Sequence, residues 1–392
     1  MAMRETVPAS RNTLSLVTNP DLVVDEDGRE SWNAPSRRRQ SFHNLHSVVR
    51  YGMSLRARER LVLRHDIDRR IGDLSAVRKL TGTSMFSAMV VLRGPTLVYE
   101  KYAPDFAAHN AHSVMSISKT MTHLIIGRLR DEGLIDTSKT VAEYLPEIGS
   151  GYAGSTVQAV LDMNVANDYS EDYSDPNTTA LLHEAAMGWR LPPAGEVEPT
   201  DREFLCTITS NDITNHSGEP DYKSANTDVL GWIAERVSGR PLRDYFVEIV
   251  DAAGLEHTFY MSTDRTGVPN LNGGVCLSAR DLARYGLIFV RGGQGVRGEV
   301  VGSKAFLEQT LECNGPSYAE PESAIHYCNQ LRTNGRWVGH GGWGGQFLYV
   351  DPSTETVVVL FSVLENDSAS DWAYQVEIIA MADEISLLED VE

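Results

Sequence analysis

The order of strand-like and helical segments along the chain constrains its fold more than any other feature. Two β-rich runs flank Arg93-Gly94-Pro95 in FSAMVVLRGPTLVYEKY (86–102), which predicts a hairpin. The C-terminal part of the chain again has strand-like runs, in GRWVGH, GQFLYVD and TVVVLFSV, and ends in a helical segment at roughly 370–388. Helical periodicity dominates between these regions. This order predicts an α+β fold, in which strands from both ends form an antiparallel sheet flanked by helices and a helical domain is inserted between them.

The middle of the chain contains helical segments with recognisable ends. From Ile117 the apolar residues recur on one helix face, and Gly133 ends the segment. NTDVLGWIAERVSG (226–239) has a polar start, an apolar stripe and a terminal glycine, and TVQAVLDM (156–163) predicts a shorter helix. SARDLARYGLIFVRGG (278–293) begins with serine and aspartate at the spacing of a capping box and closes in glycines.

These patterns divide the chain into three predicted parts. Residues 1–35 are polar and aperiodic, which predicts an extended N-terminal arm. Residues 36–115 and 266–392 are expected to form the α/β sheet domain, and residues 116–265 the mainly helical domain, with the active site at their junction. The arginine-rich run SRRRQ (36–40) predicts a helical segment whose cations pair with an acidic body.

The composition excludes some partners and indicates a compartment. The 392 residues carry a net charge of −19, which disfavours nucleic acid as a partner. No apolar run is long enough for a signal peptide or a membrane span, so no membrane partner is predicted. The four cysteines form no C-x-x-C pair and HNAH (109–112) offers two histidines without a third ligand, so no metal is predicted. Reduced thiols indicate a cytoplasmic protein, and the sequence leaves a homodimer open.

The segment MSISKT contains the motif S-x-x-K in Ser116 and Lys119. The four-residue pattern alone arises by chance about once in every two chains of this length. Its position is more informative, because Ser116 lies just before the first turn of an amphipathic helix, where free backbone N–H groups favour negative charge. Lys119 follows one turn later and could accept a proton from Ser116. The residues alone leave two readings open, a nucleophile with its base or an N-cap serine followed by a surface lysine.

Two further segments could complete a serine-hydrolase site. DYKSANTD places Tyr222 ahead of a helix, where it could handle a proton. GHGGWGGQ places His340-Gly341-Gly342 before a strand, whose edge could supply an oxyanion N–H group. A tyrosine in such a place is usually a packing residue, and a glycine cluster is usually a turn. The three elements in this order are far more specific than any one of them.

With these motifs the chain resembles the penicillin-recognising serine hydrolases, which include class C β-lactamases, DD-peptidases and family VIII-type carboxylesterases. Within that family it is most similar to the 6-aminohexanoate-dimer hydrolases, the nylon-oligomer amidases, and to their esterase relatives. The resemblance runs from about residue 30 to the end. It is carried by SWNAPSRRRQSFHNL, MSISKT, VLDMNVANDYSEDY, GWR, YKSANTDVLGWIAERVSG, NGGVCLSARDLARYG and GQFLYVDP. It implies a β-lactamase/DD-peptidase-like fold and a serine hydrolase that needs no cofactor.

The resemblance also implies a role for individual residues. Ser116 would be the nucleophile, and Lys119 and Tyr222 would share the work of general base and acid, with Lys119 lowering the pKa of Tyr222. The backbone N–H groups of Ser116 and Trp343 would form the oxyanion hole. Tyr173 would close over the substrate and hydrogen-bond the leaving amine. The other substrate-binding residues that the resemblance implies are Ser224, Asn272, His340 and Gly342.

Glu184 has two readings. By its spacing from Tyr173 and from Trp189-Arg190, it lies where the resembling amidases can carry an aspartate that receives the amino group of the substrate. A glutamate on a helix is otherwise usually a solvated surface residue.

Two departures from the family pattern bear on the reaction. Ser224 stands where the Y-x-N motif has asparagine, and His340-Gly341-Gly342 lacks the lysine and the hydroxyl of K-[ST]-G. In β-lactamases those groups hold the carboxylate of the lactam, so poor lactam hydrolysis is expected. The predicted substrate is a small-molecule linear amide or ester. The alternatives are a carboxylesterase or an acyltransferase on the same scaffold and, more remotely, a non-catalytic binding protein.

Overall fold

The computed structural model describes residues 32–173, 175, 177–192 and 195–388. The arm predicted for residues 1–35 lies outside this part of the chain, except for its last few residues. The strands of the described residues are β1 (Gly52–Leu55), β2 (Arg64–His65), β3 (Phe86–Arg93), β4 (Thr96–Tyr102), β5 (His112–Ser113), β6 (Phe259–Ser262), β7 (Val275–Leu277), β8 (His326–Cys328), β9 (Leu331–Thr333), β10 (Val338–Gly342), β11 (Gln346–Asp351) and β12 (Thr356–Ser362).

The main sheet joins the two ends of the chain. Its strand order is β2-β4-β3-β12-β11-β10-β9-β8. The N-terminal strand β3 pairs antiparallel with the C-terminal strand β12, and Val91 lies opposite Val358. The predicted hairpin is present as β3 and β4. The short pair β2–β4 is parallel, whereas the other neighbours in this sheet are antiparallel. The predicted α+β fold with a sheet assembled from both ends is therefore confirmed.

The helices of the described residues lie mostly between the two groups of sheet strands. They are α1 (Pro35–Val48), α2 (Arg69–Asp73), α3 (Ser75–Leu80), α4 (Thr120–Asp131), α5 (Val141–Tyr144), α6 (Ser150–Ala153), α7 (Val157–Leu161), α8 (Thr179–Ala186), α9 (Asp201–Leu205), α10 (Ser224–Ser238), α11 (Leu242–Ala253), α12 (Ala279–Val290), α13 (Lys304–Leu311) and α14 (Trp372–Ser386).

Local sequence signals account for the ends of the main helices. Ser278 caps α12, and its side chain accepts a hydrogen bond from Asp281 N. Gly239 ends α10 in the left-handed conformation that glycine adopts without strain. The segment that begins at Ile117 is helical as predicted, but its first part is a 3-10 turn, Met115–Lys119, that leads into α4.

The central strands of the main sheet are buried on both faces. Strands β3, β11 and β12 consist almost entirely of buried residues, and their sequences are continuous apolar runs rather than alternating ones. Helices α12 and α14 both pack on this part of the sheet. Because the same apolar core continues into α4 and α10, the S-x-x-K segment is anchored in the interior of the protein.

A second, four-stranded sheet was not predicted. Its order is β1-β6-β7-β5, and its strands are only two to four residues long. Val114 N donates to Val275 O next to this sheet. The small sheet thereby fixes the residues immediately before the S-x-x-K motif.

The arginine-rich run lies on α1 as predicted, but it is only partly a surface feature. Arg39 pairs with Asp105, whereas Arg38 is completely buried and donates to the backbone oxygens of Leu364 and Asn366. Helix α1 is therefore hydrogen-bonded to the segment that follows β12. In the described part of the chain no helix combines the length and the apolar character that crossing a bilayer requires.

Candidate active site

Ser116 lies in the 3-10 turn at the start of α4. The residue before it, Met115, has a φ of 47°, a left-handed conformation that residues other than glycine rarely adopt. Strand β10 passes close to this turn, because a Cβ added to Gly342 would lie 2.4 Å from Val114 O. Only glycine permits that approach. Ser116, Gly342 and Trp343 consequently line one cavity of about 630 Å³.

Lys119 is completely buried beside Ser116. Its Nζ lies 3.0 Å from Ser116 Oγ, 3.0 Å from Ser224 Oγ and 2.6 Å from the backbone oxygen of Asn272. The reading of Lys119 as a surface lysine is therefore wrong. The three oxygens hold the amine against the hydroxyl of the predicted nucleophile.

The buried position changes the acidity of Lys119. Burial lowers the pKa of Lys119 to about 8, although the charges of Glu171 and Asp228 raise it in part. An amine with this pKa is partly uncharged at neutral pH and can accept a proton. Lys119 thus has both the position and the acidity of a general base for Ser116.

Tyr222 lies against the same amine, with Lys119 Nζ 5.1 Å from the centroid of its ring. Its hydroxyl is buried, and the side chains of Ser116 and Ser224 lie near enough to lower its pKa in part. Burial, and secondarily the charge of Glu171, raise the pKa of Tyr222 above its ordinary value. The expectation of a lowered pKa is wrong, because desolvation of the phenolate outweighs the nearby positive charge. Tyr222 therefore keeps its proton at neutral pH, and Lys119 is the better base of the two.

The two predicted oxyanion donors face the same cavity. Ser116 and Trp343 both line it, on either side of the close contact between Val114 and Gly342. Neither backbone N–H donates to a described residue outside its own helix or strand. Their joint role as an oxyanion hole stays a prediction that this arrangement permits.

Tyr173 lies at the open side of the cavity. Its ring stacks on that of Trp343, with centroids 4.8 Å apart and planes inclined by 22°. The residue is 39% exposed, in contrast to the completely buried Lys119. A tyrosine in this place can contact a bound substrate from the solvent side, and its predicted role at the leaving group remains untested.

Glu184 lies on α8 and lines the cavity. It is buried, with 3% of its surface exposed, and its Oε2 accepts a hydrogen bond from Arg190 Nε at 3.2 Å. Burial raises the pKa of Glu184, and the charge of Arg190 lowers it in part. The reading of Glu184 as a solvated residue is wrong. Its role as the receiver of a substrate amino group stays a prediction.

Of the remaining predicted substrate residues, three line the cavity and His340 does not. Ser224, Asn272 and Gly342 line the cavity, but the side-chain amide of Asn272 donates to Asp228. His340 does not line the cavity, because its ring is completely buried. Its two ring nitrogens contact Tyr327 Oη at 3.1 Å and the backbone oxygen of Gly341 at 2.6 Å. The predicted contact between His340 and substrate is therefore not formed in this arrangement.

Three residues of the site were missed by sequence reasoning. Glu171 accepts a hydrogen bond from Ser224 N, and Asp228 accepts from the backbone N–H groups of the segment that holds Lys119. Arg332 lines the cavity from β9. Asp228 lies off the apolar stripe of its helix, so the periodicity of the sequence did not mark it. Arg332 had no signal either, because its strand is too short to show a pattern.

His183, Asp201 and Asp228 form a buried group at the cavity wall, and His183 lines the cavity. Their potential ligand atoms all lie within 4.8 Å of one another, a spacing that could hold a metal ion. His183 Nε2 is 2.9 Å from Asp201 Oδ1 and 3.4 Å from Asp228 Oδ2. Burial lowers the pKa of His183, but the hydrogen bonds and charges of the two carboxylates raise it more, to about 9. A proton on His183 therefore neutralises part of the carboxylate charge without a metal.

Comparison with known proteins places this chain among hydrolases. The Beta-lactamase family matches residues 68–380 of the chain. The 6-aminohexanoate-dimer hydrolase of Paenarthrobacter ureafaciens is 35% identical over 375 residues, which cover 90% of this chain and 92% of that protein.

Solved structures share the fold. A Bacillus anthracis protein, whose name assigns it provisionally to the 6-aminohexanoate-dimer hydrolases, superposes with a TM-score of 0.76 at 23% identity and covers 91% of this chain and 95% of its own. A D-stereospecific amidohydrolase from Streptomyces has a TM-score of 0.59 at 18% identity, over 83% of this chain and 100% of its own. EstCE1, a hydrolase with promiscuous acyltransferase activity, also has a TM-score of 0.59, at 16% identity over 80% of this chain and 97% of its own.

Proposed function

Because the chain belongs to the beta-lactamase family and is a serine hydrolase, we propose that it cleaves a linear amide or a carboxylic ester through an acyl-enzyme on Ser116. The observation that carries this proposal is the contact between Ser116 Oγ and the buried Lys119 amine at 3.0 Å. A serine hydroxyl is a weak nucleophile unless an adjacent base accepts its proton.

The first half of the reaction uses Ser116 and the groups around it. Lys119 accepts the proton of Ser116 while Oγ attacks the substrate carbonyl. The N–H groups of Ser116 and Trp343 bind the developing oxyanion. The Lys119 ammonium then returns its proton toward the leaving group, directly or through the protonated hydroxyl of Tyr222. The second half repeats these steps with water as the nucleophile, and the acid product leaves.

Tyr173 is the residue on which we base the choice between amides and esters. An amine leaving group must be protonated as it departs, whereas the alkoxide or phenoxide of an activated ester needs little help. We expect Tyr173→Phe to reduce turnover of a linear amide by about tenfold or more and turnover of a p-nitrophenyl ester only slightly. The measurement is kcat/KM for both substrates. Equal losses on the two would show that the hydroxyl has no role at the leaving group.

The relative from Paenarthrobacter ureafaciens is named for a 6-aminohexanoate dimer, a linear amide with an amino group at one end. We propose that this chain acts on a molecule of similar shape, with Glu184 facing the amino end. The ion pair with Arg190 leaves one Glu184 oxygen without that hydrogen bond. A carboxylate at a buried wall interacts strongly with an incoming ammonium group, since little water screens it.

The nucleophile can be tested directly. A fluorophosphonate probe should label one site, Ser116, and labelling should coincide with loss of activity. Ser116→Ala should lose both, and Ser118→Ala, on the same turn, should keep both. A panel of p-nitrophenyl esters, linear amides and nitrocefin then defines the substrate. Labelling at another residue, or full activity in Ser116→Ala, would contradict the mechanism.

An acyltransferase on the same scaffold is the second candidate, favoured by the fold similarity to EstCE1. The two functions differ in what attacks the acyl-enzyme. Adding an alcohol or an amine to the ester assay should divert the acyl group to that acceptor in a transferase, whereas a hydrolase should release mainly the free acid. A non-catalytic binding protein would show neither labelling nor turnover.

A further inference from the structure

Arg332 is a buried cation in the wall of the cavity. It lies on β9 opposite Gly339 of β10 and is 8% exposed. Its guanidinium carbon lies 5.0 Å from the ring centroid of Trp372 and 5.5 Å from that of Tyr318, and Nη1 donates to Gln375 Oε1. Among the described residues, no carboxylate forms an ion pair with Arg332, and its buried Nε has no hydrogen-bond partner.

Arg332 has fewer oxygen partners than the other described arginines buried to this degree. Arg284 forms ion pairs with two carboxylates, and Arg38 donates to several backbone carbonyl oxygens. Removing a guanidinium from water is costly, and buried cations are ordinarily paired for that reason. Around Arg332, one amide oxygen and the faces of two aromatic rings take the place of a counter-ion. An anion in solution could reach Arg332 through the cavity.

The guanidinium of Arg332 lies beside Gly341 of β10, the strand that leads to the predicted oxyanion donor Trp343. A Cβ added to Gly341 would lie 3.0 Å from Arg332 Nη1 and 2.4 Å from Gln375 Oε1. The guanidinium and the Gln375 amide thus occupy the space that a side chain at position 341 would need. His340-Gly341-Gly342 lacks the lysine and the hydroxyl that hold the carboxylate of the lactam in β-lactamases. The structure brings a cation to the same strand from its neighbour.

We propose that Arg332 binds a carboxylate group of the substrate, so that the preferred substrates are linear amides or esters with a carboxylate at the end that lies along β9 and β10. This proposal rests on the proposed function. A guanidinium matches a carboxylate in geometry, and a charge-assisted hydrogen bond between the two is stronger than a neutral one. With Glu184 in the same cavity, the walls offer charges of both signs, which suits a molecule with an amino group and a carboxylate.

The activity test compares substrates that differ only in this charge. One pair is mono-p-nitrophenyl adipate and its methyl ester, with the charge on the acyl part. The other is an N-acyl-6-aminohexanoate and its methyl ester, with the charge on the leaving group. In one of the pairs, Arg332→Met should lower kcat/KM for the carboxylate by about ten- to hundredfold and for the methyl ester by less than about threefold. Arg332→Lys should recover part of the loss.

A matched control separates recognition from packing. Arg240 also lies over an aromatic ring, that of Tyr245 at 4.5 Å, but it does not line the cavity. Arg240→Met should leave the preference for carboxylate substrates unchanged. If Arg332→Met reduces both members of each pair equally, or if the unmodified enzyme prefers neither carboxylate, Arg332 is only a structural residue and the proposal is overturned.

A binding experiment tests the site without any turnover. Adipate is titrated into Ser116→Ala, and the fluorescence of tryptophan is followed, because Trp372 lies against Arg332. Saturable binding of adipate, absent for dimethyl adipate and weakened at least about tenfold in Ser116→Ala/Arg332→Met, would support the carboxylate site even if Ser116 is not the nucleophile. Unchanged adipate binding in the double variant, or none in Ser116→Ala, would overturn it. The melting temperature of each variant shows whether it is folded.

Discussion

Lys119 combines two properties at the level of a single residue that rarely occur together in a lysine. Its amine is removed from water, which lowers the pKa to about 8, and it is still held by three oxygens. An exposed lysine has a pKa near 10.4, so less than about one in a thousand is uncharged at pH 7. A pKa of about 8 raises that fraction to roughly one in ten. Burial therefore supplies about a hundredfold more of the form that can act as a base.

This acidity predicts the pH dependence of the reaction. The active form of Lys119 is the neutral one, so kcat/KM should rise with pH, about tenfold per unit well below pH 8, and level off above it. A pH profile of ester hydrolysis measures this directly. If Lys119 is the base, Tyr222→Phe should lower the plateau and leave the midpoint in place. Loss of the midpoint in that variant would instead assign the base to Tyr222.

A second prediction at this scale concerns Glu184. Glu184→Gln should weaken kcat/KM for an ω-amino amide by about ten- to hundredfold, since an ammonium–carboxylate hydrogen bond at a buried site contributes about 1.5–3 kcal/mol. An uncharged ester of similar length should change little, because it makes no use of the charge. Steady-state kinetics on the two substrates provide the measurement. Similar losses on both would mean that the substitution disturbs Arg190 and the cavity wall instead.

Some of these residues were predictable from sequence and some were not, for a physical reason. Ser116 and Lys119 come together because they are three positions apart on one helical turn, and Tyr222 is marked by its order relative to that motif. The raised pKa of Tyr222 depends on burial by distant segments. The cavity position of Arg332 depends on the register of β9 against β10. Neither property is encoded locally, so pattern reading could not supply them.

At the level of elements, the buried group of His183, Asp201 and Asp228 connects three helices to residues 271–272, which contact Lys119. The residues lie on α8, α9 and α10 respectively. Asp228 accepts from the backbone N–H groups of Leu271 and Asn272, and the backbone oxygen of Asn272 holds Lys119. Through this chain of hydrogen bonds the helices position the amine of Lys119.

This linkage predicts how stability depends on pH. The pKa of His183 is raised to about 9 in the fold, against about 6.5 when unfolded, so its contribution is fully present below pH 6.5 and is lost as pH rises through 9. His183→Gln should therefore be less stable than the parent in urea unfolding at pH 6.5, and the difference should shrink by pH 9.5.

His123 offers a matched control for this experiment. It is also buried, but burial lowers its pKa to about 4, and it is uncharged over the whole range. His123→Gln should cost the same stability at pH 6.5 and pH 9.5. A difference between His183→Gln and the parent that does not change with pH would argue against a charged His183.

The elements that were not predicted are those too short to show a repeating pattern of apolar residues. The hairpin, α10, α12 and the C-terminal strands each contain enough residues to show an apolar pattern, and each was predicted close to its observed position. The strands of the small sheet are two to four residues long, and pairing with distant segments alone defines them. The 3-10 turn at Ser116 was missed because no sequence pattern distinguishes it from the α-helix that follows.

At the scale of the whole molecule, the pairing of β3 with β12 means that the main sheet forms only when the N-terminal and C-terminal strands come together. On this basis we propose the division made from the sequence, a sheet domain of residues 36–115 and 266–392 and a helical domain of residues 116–265. The cavity is lined by residues from both, with Ser116 and Tyr222 from the helical part and Arg332 and Trp343 from the sheet. A substrate bound there would contact both domains.

The overall charge supplies a last prediction at this scale. With 54 acidic and 35 basic residues, the chain has a net charge of −19, which favours expansion through mutual repulsion. Salt also weakens the ion pairs that oppose this effect, such as Arg280 with Glu100 at 2.6 Å and Arg284 with Glu256 at 2.6 Å. Distance decides which effect is larger. The Debye length is about 10 Å at 0.1 M salt, so pairs in direct contact are screened little and repulsion across the surface is screened strongly.

We therefore expect the melting temperature at pH 7.5 to rise by about 2 °C or more when sodium chloride is increased from roughly 0.01 to 0.3 M. The same series at pH 5.0, close to the pI of about 5.0, removes the net repulsion but retains many of the ion pairs. There the melting temperature should stay constant or fall. Parallel scans with choline chloride identify any effect specific to sodium. An equal rise at both pH values would show that salt acts through apolar burial, and that the negative charge of the surface does not limit the stability of this fold.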